Sequence, residues 1–166
     1  VSRPVRAPKD NESMRHPRVL ADSKDLETYI PYLLNRLTNR WNIDQNRDLG
    51  EYGINGTILR ALSVLHIFKT LTVNEIANYA LVEQSNASRS IDAMVAAGLV
   101  ERQIAETDLR RREVALTEKG ERLLKQLWPI MVQNHEKLLG DIPAKDLKIF
   151  VTTLLAMIRN VGESPV

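Results

Sequence analysis

Apolar residues recur along most of this chain at helical spacing, and one stretch alternates like a strand. Leu26, Ile30, Leu33, Leu37 and Trp41 fall four, three, four and four residues apart, which places them on one face of a long helix. Pro31 either starts the main part of that helix or kinks it. Residues 48–53, DLGEYG, break the pattern, and Asn55 is placed to cap a second helix whose Ile58, Leu62 and Leu65 face inward. Thr72, Val73, Asn74 and Glu75 spell a capping box, in which the Thr hydroxyl and the Glu carboxylate satisfy each other's free backbone amides at a helix start. That helix ends near Tyr79, residues 80–82 make a tight connection, and another helix begins around Glu83. Its Ala87, Ile91, Met94 and Val95 stand at i, i+4, i+7 and i+8, and Gly98 closes it.

The period then changes. Val100, Arg102 and Ile104 alternate with Glu101 and Gln103, and Arg112, Val114 and Leu116 alternate with Glu113 and Ala115, so two strands are predicted. The intervening AETDLRR is expected to form the turn, with Thr107, Asp108, Leu109, Arg110 and Arg111 at its tip. Residues 118–138 read as a helix with Leu123, Leu124, Leu127 and Met131 apolar, bent near Pro129. After GDIP a last helix carries Leu147, Phe150, Val151, Leu154 and Ile158. Residues 1–22 hold three prolines among arginines without periodicity and read as a flexible arm, and 161–166 as a tail.

Polar residues decide what this pattern is for. Gln84, Ser85, Asn86, Ser88 and Arg89 crowd the first two turns of the helix that begins near Glu83, all able to donate hydrogen bonds. Two short helices, a tight turn and donors at the start of the second describe a helix-turn-helix, whose second helix enters the DNA major groove amino end first. The plainer alternative is a solvated helix face. The hairpin weighs against it, because a hairpin directly after a recognition helix is a wing, and arginine at its tip can enter the narrower groove or clamp phosphate.

Charge adds little. The chain carries 23 Lys and Arg against 21 Asp and Glu, and the eight cations of residues 53–120 are matched by eight acids. Nucleic-acid binding therefore has to rest on where a few cations stand. There is no cysteine, which removes disulfides, thiolate metal sites, cysteine nucleophiles and thiol redox sensing. No apolar run is long enough to span a membrane and the first residues lack the apolar core of a signal peptide, so a cytoplasmic protein is expected.

The stretch LTVNEIANYALVEQSNASRSIDAMVAAGLVER, followed by DLRRREVALTEKG and LLKQLWPI, resembles the MarR family of winged-helix transcriptional regulators, over about residues 26–160. The family's wing pattern, D-x-R ahead of LT-x-x-G, falls on Asp108, Arg110, Leu116, Thr117 and Gly120. The resemblance implies that Arg110 inserts into the minor groove while Asp108 orients it. Asn86-Ala87 departs from the Ser/Thr and apolar residue often found in relatives, which bears on base preference. The expected fold is mainly α: a winged helix-turn-helix of about six helices plus a β-hairpin wing, within residues 23–160. Residues 53–120 form the DNA-binding lobe, and 23–47 and 121–160 the dimerisation helices.

The flanking amphipathic helices either complete an intramolecular core or, as in MarR-like proteins, interdigitate with a second copy. The second reading gives a homodimer on a pseudo-palindromic operator in double-stranded DNA, with half-sites about 34 Å apart. Asn86, Ser88 and Arg89 are expected to read the major groove, and Arg111 or Arg112 to hold phosphate. The resemblance also implies a small aromatic or phenolic acid, or a related metabolite, as an effector bound between dimerisation helices and lobe. Tyr32, Arg36, Arg40, Trp41, His66 and Trp128 are candidates, each with a plain reading as core or solvated residue. Arg36, Arg40 and Arg47 share a face, which leaves a CoA thioester as an option.

No enzyme is expected. His16, His66 and His135 are scattered without the spacing of a metal site, and Gly50, Gly53 and Gly56 follow no strand, so they match no nucleotide-binding fingerprint. No metal or cofactor is expected. The alternative function is a winged-helix module that docks protein, which would present apolar residues at the wing tip in place of arginines.

Overall fold

The computed structural model describes residues 19–105 and 108–162, without the side chains of 105 and 108–110. The expected arm therefore lies outside the described residues as far as position 18, and the tail from 163. Among the described residues, six α-helices and three strands follow a single 3₁₀ turn at Asp25–Glu27. They are α1 (Ile30–Gly50), α2 (Gly56–Phe68), β1 (Thr70–Leu71), α3 (Val73–Tyr79), α4 (Gln84–Ala96), β2 (Val100–Ala105), β3 (Asp108–Leu116), α5 (Glu118–Leu139) and α6 (Ala144–Val161). The chain divides into two compact units, one ending at Gln45 and one beginning at Asn46.

In the first unit the 3₁₀ turn holds Leu26 apart from the helix that its spacing predicts it to begin. Asp22 accepts the amides of Lys24 (2.8 Å) and Asp25 (3.2 Å) and so fixes this turn separately. Pro31 falls in the first turn of α1, where its missing N–H costs no helical bond. Leu33 and Leu37 of the apolar stripe are exposed.

The second unit contains the core. α1 continues to Gly50, two residues beyond the start of the predicted break, and buries Leu49. Asn55 accepts the Ile58 amide at 3.0 Å and starts α2, which buries Leu59, Ala61, Leu62 and Leu65. The capping box at α3 is formed in full, and Ile76 and Ala77 turn inward. Ala87, Ile91 and Met94 of α4 are buried, as their spacing requires, and Gly98 takes the left-handed φ of +69°. Val95, the fourth apolar position expected on that face, is exposed at the helix edge. These side chains pack with Leu71, Leu99, Val100, Val114, Leu124 and Leu127 in one cluster.

The sheet has three strands in the order β1-β3-β2, all antiparallel. The sequence pattern contained only the hairpin, because β1 is two residues long and carries no period. It exists because Thr70 and Leu71 pair with Ala115 and Val114. The turn is also shorter than expected. β3 begins at Asp108, so Asp108, Leu109, Arg110 and Arg111, all expected in the turn, are strand residues together with Arg112. Arg112 pairs with Ile104 and Asp108 with Ala105, and the register is irregular between Ile104 and Ala105, opposite the stretch that holds Arg110 and Arg111.

Candidate nucleic-acid interface

α3 and α4 meet through a short turn in which Leu81 adopts φ +54°. Arg60, from α2, holds this turn by donating from Nε to the Ala80 carbonyl at 2.9 Å, and burial pushes its guanidinium pKa down from the usual value. At the amino end of α4, Gln84, Ser85, Asn86 and Arg89 are exposed and Ser88 is half-buried. Gln84 donates to Asn74 of α3 at 2.7 Å, and Arg89 donates to Asn86 at 2.6 Å, so the polar face is internally organised. Asn74 was not singled out from the sequence, because it precedes the α4 cluster by ten residues and only the fold sets it beside Gln84.

The wing stands against this pair of helices. Arg102 of β2 is paired with Asp92 on the exposed side of α4, and Arg111 of β3 with Glu75 of α3. Arg111 donates to the two Glu75 oxygens at 3.0 and 3.1 Å and, through Nε, lies 2.8 Å from a Glu113 oxygen. The Glu75 carboxyl is held below its usual pKa, first by the Thr72 backbone amide and then by the Thr72 hydroxyl and Arg111. Arg112 is exposed and forms no ion pair among the described residues. The side chains of Asp108 and Arg110 lie outside the described residues.

Thr117, Lys119 and Gly120 join the far end of α4 to α5. Thr117 accepts the Gly120 amide at 3.2 Å and donates to the Gly98 carbonyl at 2.7 Å, and Lys119 reaches the Ala97 carbonyl at 2.7 Å. The LT-x-x-G pattern is therefore a latch between the end of α4 and the helix after the wing.

Of the candidate effector residues, His66 and Trp128 come together. With Ser63, Ile67, Leu124 and Lys125 they line a cavity of about 360 Å³ between α2 and α5. His66 Nδ1 lies 2.9 Å from a Glu121 oxygen at its edge. Tyr32, Arg36, Arg40 and Trp41 belong to the first unit. There Arg40 pairs with Asp44 at 3.1 Å, Tyr32 and Arg36 are exposed, and Trp41 is half-buried. Among the described residues no group of three or more His, Asp or Glu is placed to hold a metal ion, and no helix is long and apolar enough to cross a membrane. Gly50 and Gly56 terminate and begin helices, and only Gly53, at φ +67°, serves the connection between them.

A helix-turn-helix whose second helix exposes a polar amino end, with a hairpin tied beside it, defines a winged helix-turn-helix protein. The MarR family's sequence model matches residues 52–111. A MarR family transcriptional regulator from Silicibacter pomeroyi is 31% identical, with 86% of this chain and 95% of that one covered and a TM-score of 0.77. S. aureus MepR, solved as a DNA complex, is 20% identical over 81% of this chain and 96% of its own, with a TM-score of 0.72. Bordetella bronchiseptica BpsR, described as regulated in DNA binding by 6-hydroxynicotinic acid, is 18% identical over 77% and 97%, with a TM-score of 0.70. These last two likenesses concern the fold. The chain belongs to the MarR family, and it is a DNA-binding transcriptional regulator.

Proposed function

We propose that this chain is a homodimeric repressor that binds a pseudo-palindromic operator and is released by a small aromatic acid. The observation that carries the DNA-binding mode is the exposed polar amino end of α4 beside the wing. Asn86, Ser88 and Arg89 read base edges in the major groove, with Gln84 and Ser85 at the entering end of the helix. Arg110 enters the minor groove, oriented by Asp108, as the family resemblance implies. Arg112, whose charge no described carboxylate offsets, holds phosphate. The docking of a protein partner has less support, since the open face of α4 is polar.

Dimerisation is supported by α6. None of its residues is buried, and Ile149, Phe150, Val151, Leu155 and Ile158 are at least 45% exposed. Soluble proteins rarely leave so continuous an apolar face in water, and a second copy covers it at no cost in added sequence. Residues 23–47 and 121–160 form the dimerisation region and 53–120 the reading lobe.

The cavity between α2 and α5 supports the effector assignment. Its volume lies at the lower end of the range for small-molecule sites, and it combines the Trp128 ring with the cation of Lys125 and the His66 imidazole. A single-ring acid fits that combination, and BpsR offers a precedent within the same fold. A CoA thioester is too large to enter it whole.

The test is selection of duplexes from a random library by the purified chain, followed by binding measured against salt. Recovery of a dyad-symmetric site whose affinity falls steeply with salt is expected. Enrichment of no sequence, with only weak binding to any duplex, would refute base reading by α4.

A further inference from the structure

We propose that Arg111 is a positioning residue of the DNA interface, which sets the angle between wing and recognition helix and contacts no phosphate. The inference rests on the DNA-binding reading above and assigns Arg111 a role different from that of its neighbour Arg112.

Arg111 and Glu113 stand two apart on β3 and so share a face of the strand. The guanidinium is divided between two carboxylates, Nη2 on Glu75 and Nε on Glu113. One cation beside two anions leaves the cluster net negative. A phosphate brought to it meets repulsion, and drawing Arg111 away would strand the Glu113 carboxylate, which is only 15% exposed. Arg112, on the other face of the same strand, has no such restraint.

The partner of Arg111 is what makes it a brace. Glu75 is the third residue of α3, and its Oε2 already accepts the Thr72 amide at 2.7 Å and the Thr72 hydroxyl at 2.8 Å. The carboxylate is thus immobilised by the helix that it caps, and Arg111 ties β3 to a fixed point on the helix-turn-helix. Arg102, paired with Asp92, ties β2 to α4 in the same sense. A hairpin held to each of the two helices keeps its strands at one distance from the helix that enters the major groove. The Arg111–Glu75 pair is partly exposed on both sides, so Glu75→Gln breaks it at little cost to global stability and leaves a folded chain with a freer wing, while Arg111→Ala also strands Glu113.

The test uses the full chain, the duplex that the wild type selects from a random library, and the variants Arg111→Ala, Arg111→Lys, Glu75→Gln and Arg111→Ala with Glu75→Gln. Glutamine keeps the capping acceptor and removes the charge, which separates brace from cap. Arg111→Ala and Glu75→Gln should each weaken binding about threefold to thirtyfold, and the double variant no further than either alone. The slope of log affinity against log salt should stay at the wild-type value, whereas Arg112→Ala should lower it by about 0.9. Amide exchange in β2 and β3 of the DNA-free protein should rise in both single variants, and Arg111→Lys should restore it in part. A slope lowered by Arg111→Ala would make it a phosphate ligand and overturn the proposal. So would unchanged affinity and exchange in Arg111→Ala and Glu75→Gln. A wild-type chain that enriches no duplex would remove the DNA-binding reading itself, and with it the purpose of the brace.

Discussion

The carbonyl oxygen of Leu99 occupies the place that a Cβ on Gly120 would need, with the Leu116 side chain close on the other side. Glycine there is a requirement of packing, since α5 starts against the segment that follows α4. Gly120→Ala must displace backbone, and should destabilise the chain by about 1–3 kcal/mol or more. Urea unfolding with an unchanged m-value checks it, and wild-type stability would show that the two segments can separate freely.

Acid should weaken the lobe through Glu75. Its folded pKa lies below the unfolded one, so its stabilisation is complete above the ordinary glutamate range and is lost as pH falls through the depressed value. Asp48, lowered first by its hydrogen bond from Asn134, acts in the same direction. Thermal midpoints followed from neutral pH downward should drop less steeply in Glu75→Gln than in wild type. Parallel curves would mean that the Glu75 interactions are already made in the unfolded chain.

Leu81 takes a left-handed backbone conformation with 68% of its surface exposed. A leucine in that region is strained, while asparagine tolerates it and loses little burial. Leu81→Asn should stabilise the chain by about 0.5–1 kcal/mol in denaturant titrations. A loss of stability would indicate that the exposed side chain packs on something in solution.

A charge in the apolar face of α6 should separate the proposed dimer. Phe150→Glu is expected to sediment as a monomer, to lose most operator affinity because two half-sites are no longer joined, and to keep the helical spectrum of the lobe. A dimer of undiminished strength would move the interface elsewhere.

Trp128→Ala removes the aromatic wall of the cavity between α2 and α5. The variant should bind operator as wild type does and should lose release by aromatic acids, measured as displacement of labelled duplex. Retained release would place the effector outside this cavity.

Much of the reading lobe was legible from residues close in sequence. A cap such as Asn55, a capping box such as Thr72 with Glu75, or a left-handed Gly98 is settled within about four residues, and the burial of Ala87, Ile91 and Met94 follows from their spacing. The same local logic joined Leu26 to the first helix and carried the wing's turn too far, through Arg111, because a single apolar residue fits two phases and consecutive arginines show none.

The chain's own order of residues determined the helices, their inward faces and the polar amino end of α4, since backbone caps and side-chain periods act over a turn or two. Tertiary structure alone decided that Thr70 and Leu71 would become a strand, that Arg111 would meet a carboxylate 36 residues away while Arg112 stayed open, and that His66 and Trp128 would share one cavity. Strand pairing and charge pairing depend on which distant groups the packed core brings within a few ångströms, and no local pattern records that distance.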